Sequence, residues 1–145
     1  VGNGNNLIDS IYIDNAADAH LQAGDRLSPE APCAGRAYFI SQGEPVPSAQ
    51  LINGILESAG VQPVTQSIHP TLAYIVGALM EAVYTLFQIE AEPKMTRFLA
   101  KQLSTAHWYD ISAAKRDLGF EPSVSIGEGL RRLHQWFENQ GSTPS

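Results

Sequence analysis

A chain of 145 residues that is 43% hydrophobic and 17% charged has room for one core and the composition of an ordinary globular protein, so a single domain is expected. Fifteen acidic against nine basic residues leave a net charge of −6, which argues against a surface for nucleic acid, because affinity for phosphate backbones comes mainly from clustered Lys and Arg. Cys33 is the sole cysteine, which rules out an intrachain disulfide and a cysteine-rich zinc site and fits a reducing, cytoplasmic setting.

The opening Val-Gly-Asn-Gly-Asn-Asn has neither a basic n-region nor an apolar h-region, so no signal peptide is expected. A polar loop running straight into a strand reads as a cut inside a longer polypeptide. Residues 2–23 form the organising unit: a Gly/Asn loop, a strand over 10–13 and a helix beyond it. Asp14 or Asn15 is the expected helix cap, and Asp18 is expected to place negative charge in the first turn. Ala16, Ala17, Ala19, His20, Ala23 and Leu27 give that helix a face of small residues suited to close packing on a sheet, with His20 as a satisfied core histidine. After a Pro/Ala/Gly loop over 28–35, the unbroken run at 37–40 predicts a strand buried on both faces, as in a parallel sheet.

The next helix is expected from Ser48 to a C′ glycine at Gly60, with Leu51, Ile52, Ile55, Leu56 and Ala59 on one face. A short strand is predicted over 64–68, closed by His69-Pro70. Residues 71–89 are apolar nearly all round, with Glu81 as the single charge. That charge and the lack of basic flanks argue against a membrane span. A helix buried in a core, lining an apolar pocket or lying on a membrane surface is expected instead. An amphipathic helix follows over 95–103 with Phe98 and Leu99 on its apolar side, then a strand over 108–111. Ser112 is expected to cap a short helix ended by Gly119, and Ser125 with Glu128 forms a capping box opening the last helix. Ile126, Leu130, Leu133 and Phe137 recur there as one docking stripe, and the tail at 141–145 is expected to fray. The pairs Lys115-Arg116 and Arg131-Arg132 read as solvated faces of the last two helices.

Several kinds of chemistry are missing from the pattern. The loop at 2–6 precedes a strand rather than following one and lacks a third glycine, so it is not a dinucleotide fingerprint; it reads as a turn or a substrate-contacting loop. The four histidines have no metal-ligand spacing and no Gly-x-Ser-x-Gly elbow occurs, so no metal is expected.

The ordered set IYIDNAADAHLQA (11–23), GRAYFIS (35–41), a helix reaching Gly60, and WYDISAAKRDLGFEPSVSIGEGLRRL (108–133) resembles the C-terminal portion of the extended short-chain dehydrogenase/reductases. Within that superfamily it is most similar to the 3β-hydroxysteroid dehydrogenase/isomerase branch, which includes bacterial 2-alkyl-3-oxoalkanoate reductases. The resemblance implies an α/β fold: the C-terminal fragment of a Rossmann-type protein, helix-rich with a few short, mostly parallel strands. It also implies NAD or NADP in the intact parent, a hydride passing between nicotinamide and substrate, and a Tyr-x-x-x-Lys pair as proton relay. In this chain the residue four places after each tyrosine is Ala16, Gln42, Ala78, Gln88 or Ala113, never Lys. The cofactor domain is therefore expected outside the chain, with no cofactor on the chain itself.

Sugar-nucleotide members carry Arg-Asp where this chain has Ile8-Asp9 and an Arg-x-Gly-Asp type of segment where it has the apolar helix at 71–89. A diphosphate would thus lack cationic partners, and a hydrophobic β-hydroxy or β-keto substrate is favoured over a nucleotide sugar. Asn5, Asn6 and Asn15 are the candidate polar contacts, and Tyr84, Phe87, Met95 and Phe98 the candidate apolar wall. A sugar-nucleotide epimerase fragment and a non-catalytic binding or assembly module are the rival readings. Strands at 10–13 and 37–40 with free edges predict self-association, and the segment 71–89 a contact with a membrane surface.

Overall fold

Strand pairing is sparse in the computed structural model, which describes residues 1–141. β1 (Leu7–Ile8) pairs antiparallel with β2 (Val46–Pro47), Leu7 opposite Pro47 and Ile8 opposite Val46, and Ile8 forms a parallel bridge with His107. Pro47 has no N–H to extend the ladder. The helix-rich α/β character with a few short strands stands; the one ladder is antiparallel and only the bridge is parallel.

The strand expected at 10–13 is displaced to β1. Residues 10–12 run extended into α1 (Ile13–Arg26), whose N-cap is Tyr12, without a side-chain cap bond. Asp14 alone supplies acid in the first turn, Asp18 lies beyond it, and Asn15 is turned inward. Ala19 is buried with Cys33, Ile111, Ala114, Leu118 and Phe120, forming the core between α1 and α5 (Ser112–Leu118). Small alanines on both helices allow that approach. His20 is exposed, its Nδ1 2.7 Å from the Ala16 carbonyl, so it is not a core histidine. Arg26 at the end of α1 reaches across to the Leu118 carbonyl and closes α5 at Gly119, which adopts a φ of 64°.

Residues 37–40 are not a strand. Tyr38 and Ile40 pack against the core while Phe39 points outward, 61% exposed, and stacks on Tyr109 with centroids 4.4 Å apart. The hydrogen bond from Gln42 N–H to the Ser10 carbonyl ties the segment to residues 10–12 without building a ladder. Residues 64–68 also lack strand pairing, because the Asn53 side chain holds both backbone groups of Val64. Residues 108–111 lead into α5 as irregular chain. Ile111, not Ser112, is the N-cap of α5, and Asp110 accepts from the Ser112 N–H at 2.8 Å.

The helices follow the sequence pattern more closely. α2 (Ser48–Ser58) ends at Gly60, whose φ is 69°, with bonds from Gly60 N–H to the Glu57 carbonyl and from Val61 N–H to the Leu56 carbonyl. This is a Schellman closure. Its apolar face is only partly covered, Ile52 and Ile55 being 41% and 44% exposed. α3 (Pro70–Leu86) is capped by His69, and α4 (Arg97–Ser104) by the Thr96 hydroxyl, which accepts from Leu99 N–H at 3.0 Å. α6 (Ile126–Gly141) packs on α2 and takes in Gly141 from the expected tail; residues 142–145 lie outside the described residues. Half of its capping box forms: the Ser125 hydroxyl accepts from Glu128 N–H, but the Glu128 carboxylate turns to Arg131 and Arg132. Among the described residues no helix is long and apolar enough to cross a membrane.

Candidate functional site

The Gly/Asn loop is clamped to the start of α2. Gly4 adopts a φ of 70°, its carbonyl accepts from Ala49 N–H, and a Cβ placed there would meet the Ala49 methyl at 2.5 Å. Gly2 N–H is spent on the Ile68 carbonyl. The glycines thus serve close backbone packing inside the chain.

Asn5 is exposed, and its backbone N–H donates to the Asn3 side-chain oxygen at 3.1 Å. Asn6 is half-buried; its amide donates to the Thr105 carbonyl at 2.9 Å and its oxygen accepts from the Ser48 hydroxyl at 2.8 Å. It lines a cleft of about 380 Å³ with Ser48, Gln102, Leu103, His107 and Tyr109. A smaller cavity of about 170 Å³ borders Gly2, Asn3 and Gly4 and shares Ser48, Ile52 and Leu103 with that cleft.

Asn15 is placed elsewhere. It is 1% exposed, donates to the Gln42 side-chain oxygen at 2.9 Å and the Val124 carbonyl at 2.8 Å, and accepts from Ser123 and Val124 N–H, each at 3.0 Å. With both amide protons and the oxygen engaged, Asn15 ties α1 to the turn before α6 and has no group to offer a substrate. Gln42, 4% exposed, completes the network by donating to the Val124 carbonyl at 2.6 Å. Asp9 plays a matching part at the surface, accepting from the Ser41 hydroxyl at 2.7 Å and Gly43 N–H at 3.0 Å. No signal in the sequence marked Gln42; its partners are distant along the chain.

A second concavity lies where α3 meets α4. Gly77 permits the contact: a Cβ there would lie 2.6 Å from the Thr96 carbonyl carbon and 2.7 Å from Arg97 N. Four residues on, Glu81 accepts from Arg97 N–H at 2.7 Å and from its guanidinium Nε at 2.6 Å. The Arg97 backbone amide first and its guanidinium second hold the Glu81 carboxyl below its ordinary range. The charge that argued against a bilayer is thus neutralised within the helix pair. Beside it opens a groove of about 590 Å³ bordered by Glu81, Tyr84, Gln88, Ile89 and Phe98. Gln88 closes α3 in the left-handed region at φ 51°, where glycine is the usual residue.

The groove brings together two of the residues expected in an apolar wall, Tyr84 and Phe98, the latter 74% exposed. Phe87 is 69% exposed and borders neither concavity, and Met95 is half-buried beside the groove without lining it. Asn6 and the Tyr84–Phe98 pair line separate concavities. Among the described residues no three metal-ligating side chains gather.

Residues 1–70 match the 3-beta hydroxysteroid dehydrogenase/isomerase family. The chain is 51% identical over 92% of its length to a 2-alkyl-3-oxoalkanoate reductase of Stenotrophomonas maltophilia, spanning 40% of that protein. It is 53% identical, again over 92% of its length, to a 2-alkyl-3-oxoalkanoate reductase of Shewanella oneidensis, spanning 35% of it. The sterol-4-alpha-carboxylate 3-dehydrogenase, decarboxylating, of Mus musculus is 28% identical over 96% of the chain, which spans 39% of that protein. The crystal structure of gox2253 superposes on 99% of the chain and 42% of its own at a TM-score of 0.63 and 22% identity, a likeness of fold.

Proposed function

We propose that this chain, related to the extended short-chain dehydrogenase/reductases of the 3β-hydroxysteroid dehydrogenase/isomerase branch, is the substrate-binding C-terminal region of a reductase acting on 2-alkyl-3-oxoalkanoates. The single observation that carries the reading is identity above half, over 92% of the chain, to two proteins of that activity. Such a substrate is a β-keto acid with hydrocarbon on both sides of its functional groups, so it needs apolar walls more than cationic ones. The α3–α4 groove supplies those walls through Tyr84, Phe98 and Ile89, with Met95 beside it and Phe87 outside it. Asn5 and Asn6 on the loop are the polar contacts of the reading, Asn6 facing a cleft that also holds His107 and Tyr109. Asn15 acts from behind, fixing α1 to Gln42 and to the turn before α6.

NAD or NADP and the acid–base pair are assigned to the part of the protein outside this chain, since no tyrosine here has Lys four places on. In the whole protein, Phe98→Ser is expected to raise KM for a long-armed 2-alkyl-3-oxoalkanoate by roughly ten-fold or more, from the lost burial of one aromatic side chain. KM for a short-armed analogue should stay unchanged. An equal rise for both, or none for either, overturns the groove assignment. Clear binding of NADH or NADPH by this chain alone, in a fluorescence titration, overturns the division of labour.

A further inference from the structure

Two Asn-Gly pairs occur in the chain, Asn3-Gly4 and Asn53-Gly54. Both asparagines border the same cavity of about 170 Å³, ample room for water, so solvent reaches both and the fold around each decides its chemistry. Asn3 is exposed, and its side-chain oxygen accepts from Asn5 N–H at 3.1 Å. That turn folds the Asn3 amide over the Gly4 peptide and draws electron density from its carbonyl carbon. The Asn3 amide nitrogen and the Gly4 N–H have no partner among the described residues, and Gly4, at a φ of 70°, carries no side chain to shield its nitrogen. Asn53 is the opposite case. Its oxygen accepts from Val64 N–H at 2.9 Å and its amide nitrogen donates to the Val64 carbonyl at 3.4 Å, so both ends of the amide are turned to another segment. Gly54 lies inside α2, where a backbone N–H is spent on the carbonyl four residues back. It also packs on α6, a Cβ there lying 2.8 Å from a Leu130 methyl.

We propose that Asn3 is a modification site at which the chain deamidates through a cyclic imide, while Asn53 is protected by the fold around it. The Gly4 nitrogen attacks Cγ of Asn3. A bond forms between Cγ and that nitrogen, the Cγ–Nδ2 bond breaks, and ammonia leaves with the proton that Gly4 gives up. Water then opens the ring. Cleavage of the new Cγ–N bond yields aspartate, and cleavage of the original peptide C–N bond yields isoaspartate, whose main chain runs through Cβ. Water is the sole co-reactant. Either product adds a negative charge to a chain that already carries −6. The isoaspartyl product also lengthens the main chain between Gly2 and Gly4 by one carbon. Both neighbours are pinned, Gly2 N–H to the Ile68 carbonyl at 2.8 Å and the Gly4 carbonyl to Ala49 N–H at 3.1 Å. The extra carbon opens the tie to Ala49, where Gly4 is packed most tightly, and the loop loosens from α2.

Peptide mapping by mass spectrometry of the folded chain, aged at mildly alkaline pH, tests it. Replacement of the amide NH2 by OH should accumulate at Asn3 roughly ten-fold or more faster than at Asn53, because Asn53 reacts only when α2 opens locally. The same chain aged in guanidinium chloride is the control: with the fold removed, the two pairs should react at similar rates. Part of the Asn3 product should accept a methyl group from an isoaspartyl methyltransferase, and amide exchange at Ala49 should quicken in that fraction. An Asn3 that stays intact, equal rates at the two sites in the folded chain, or a rate ratio that denaturant leaves unchanged overturns the proposal.

Discussion

Asn15 shows how far a single residue is legible. An asparagine at the start of a helical pattern offers an oxygen to free amides, which supports either a cap or a ligand contact. Neither is its work here. Its partners lie 27 and 109 positions away, at Gln42 and Val124, and no local pattern encodes a pairing across that distance. Burial decides the role, and burial also sets the cost of losing it. Asn15→Ala strips the hydrogen-bond partners from Gln42 and from Ser123 and Val124 N–H while leaving those groups enclosed, and each unsatisfied buried group costs about 1–3 kcal/mol. A loss of about 3 kcal/mol in urea unfolding is expected, with the helical signal before the transition retained. A variant as stable as the wild type would show that water restores the lost bonds.

At the scale of elements, helices were readable and strands were not, for a physical reason. α2, α4 and α6 announce themselves by apolar spacing, α2 also by its stop at Gly60 and α6 by its cap at Ser125, and each appears within a few residues of its expected bounds. The runs at 37–40 and 64–68 have strand composition, yet a strand exists only where a second chain segment answers its backbone; at Val64 the Asn53 side chain answers instead, and the run at 37–40 is tied to residues 10–12 only beyond its end, at Gln42. The meeting of α3 and α4 was half legible: Glu81 stood out, its partner Arg97 did not. Gly77 is what brings them together, and Gly77→Ala tests that. Its methyl would press on the Thr96 and Arg97 backbone at under 3 Å, which cannot yield as a flexible side chain would. Overpacking of this kind costs about 1–3 kcal/mol and should move α4 outward, opening the Tyr84–Phe98 groove. Weaker binding of a long-chain ligand by Gly77→Ala, with the Asn15 network undisturbed in amide exchange, is the expected result; unchanged affinity would show that the groove tolerates a wider helix pair.

For the whole molecule, the order of motifs carried more than any one of them. The Asp-Asn-x-Ala helix, the aromatic run and the Asp-x-Ser-x-Ala-x-x-x-Leu-Gly segment are weak singly, but their succession points to the 2-alkyl-3-oxoalkanoate reductases to which the chain is similar. The charge distribution is a second global property, and it makes a prediction of its own. Arg131 and Arg132 hold the Glu128 carboxyl down to about 2. Arg116 and then Tyr38 lower Asp117, the Ser112 side chain and backbone lower Asp110, and Arg97 lowers Glu81. Each group ionises more readily folded than unfolded, so each favours the fold above its ordinary carboxylate value and ceases to do so as pH falls through its folded value. All act in the same direction. Exposed pairs contribute little singly, but Glu128 engages two guanidiniums while Arg132 also reaches Asp14 on α1, so the network fastens α6 to α1. The urea midpoint should therefore hold from pH 7 to about 4.5 and fall progressively below it, as the pH passes from the ordinary Glu128 value of 4.5 toward its folded value of about 2. Glu128→Gln should begin lower at pH 7 and fall less steeply, because the mutated site no longer titrates. Parallel curves for the two proteins between pH 4.5 and 3 would assign the acid sensitivity to Asp117 and Asp110 instead and remove the α6 network from the account.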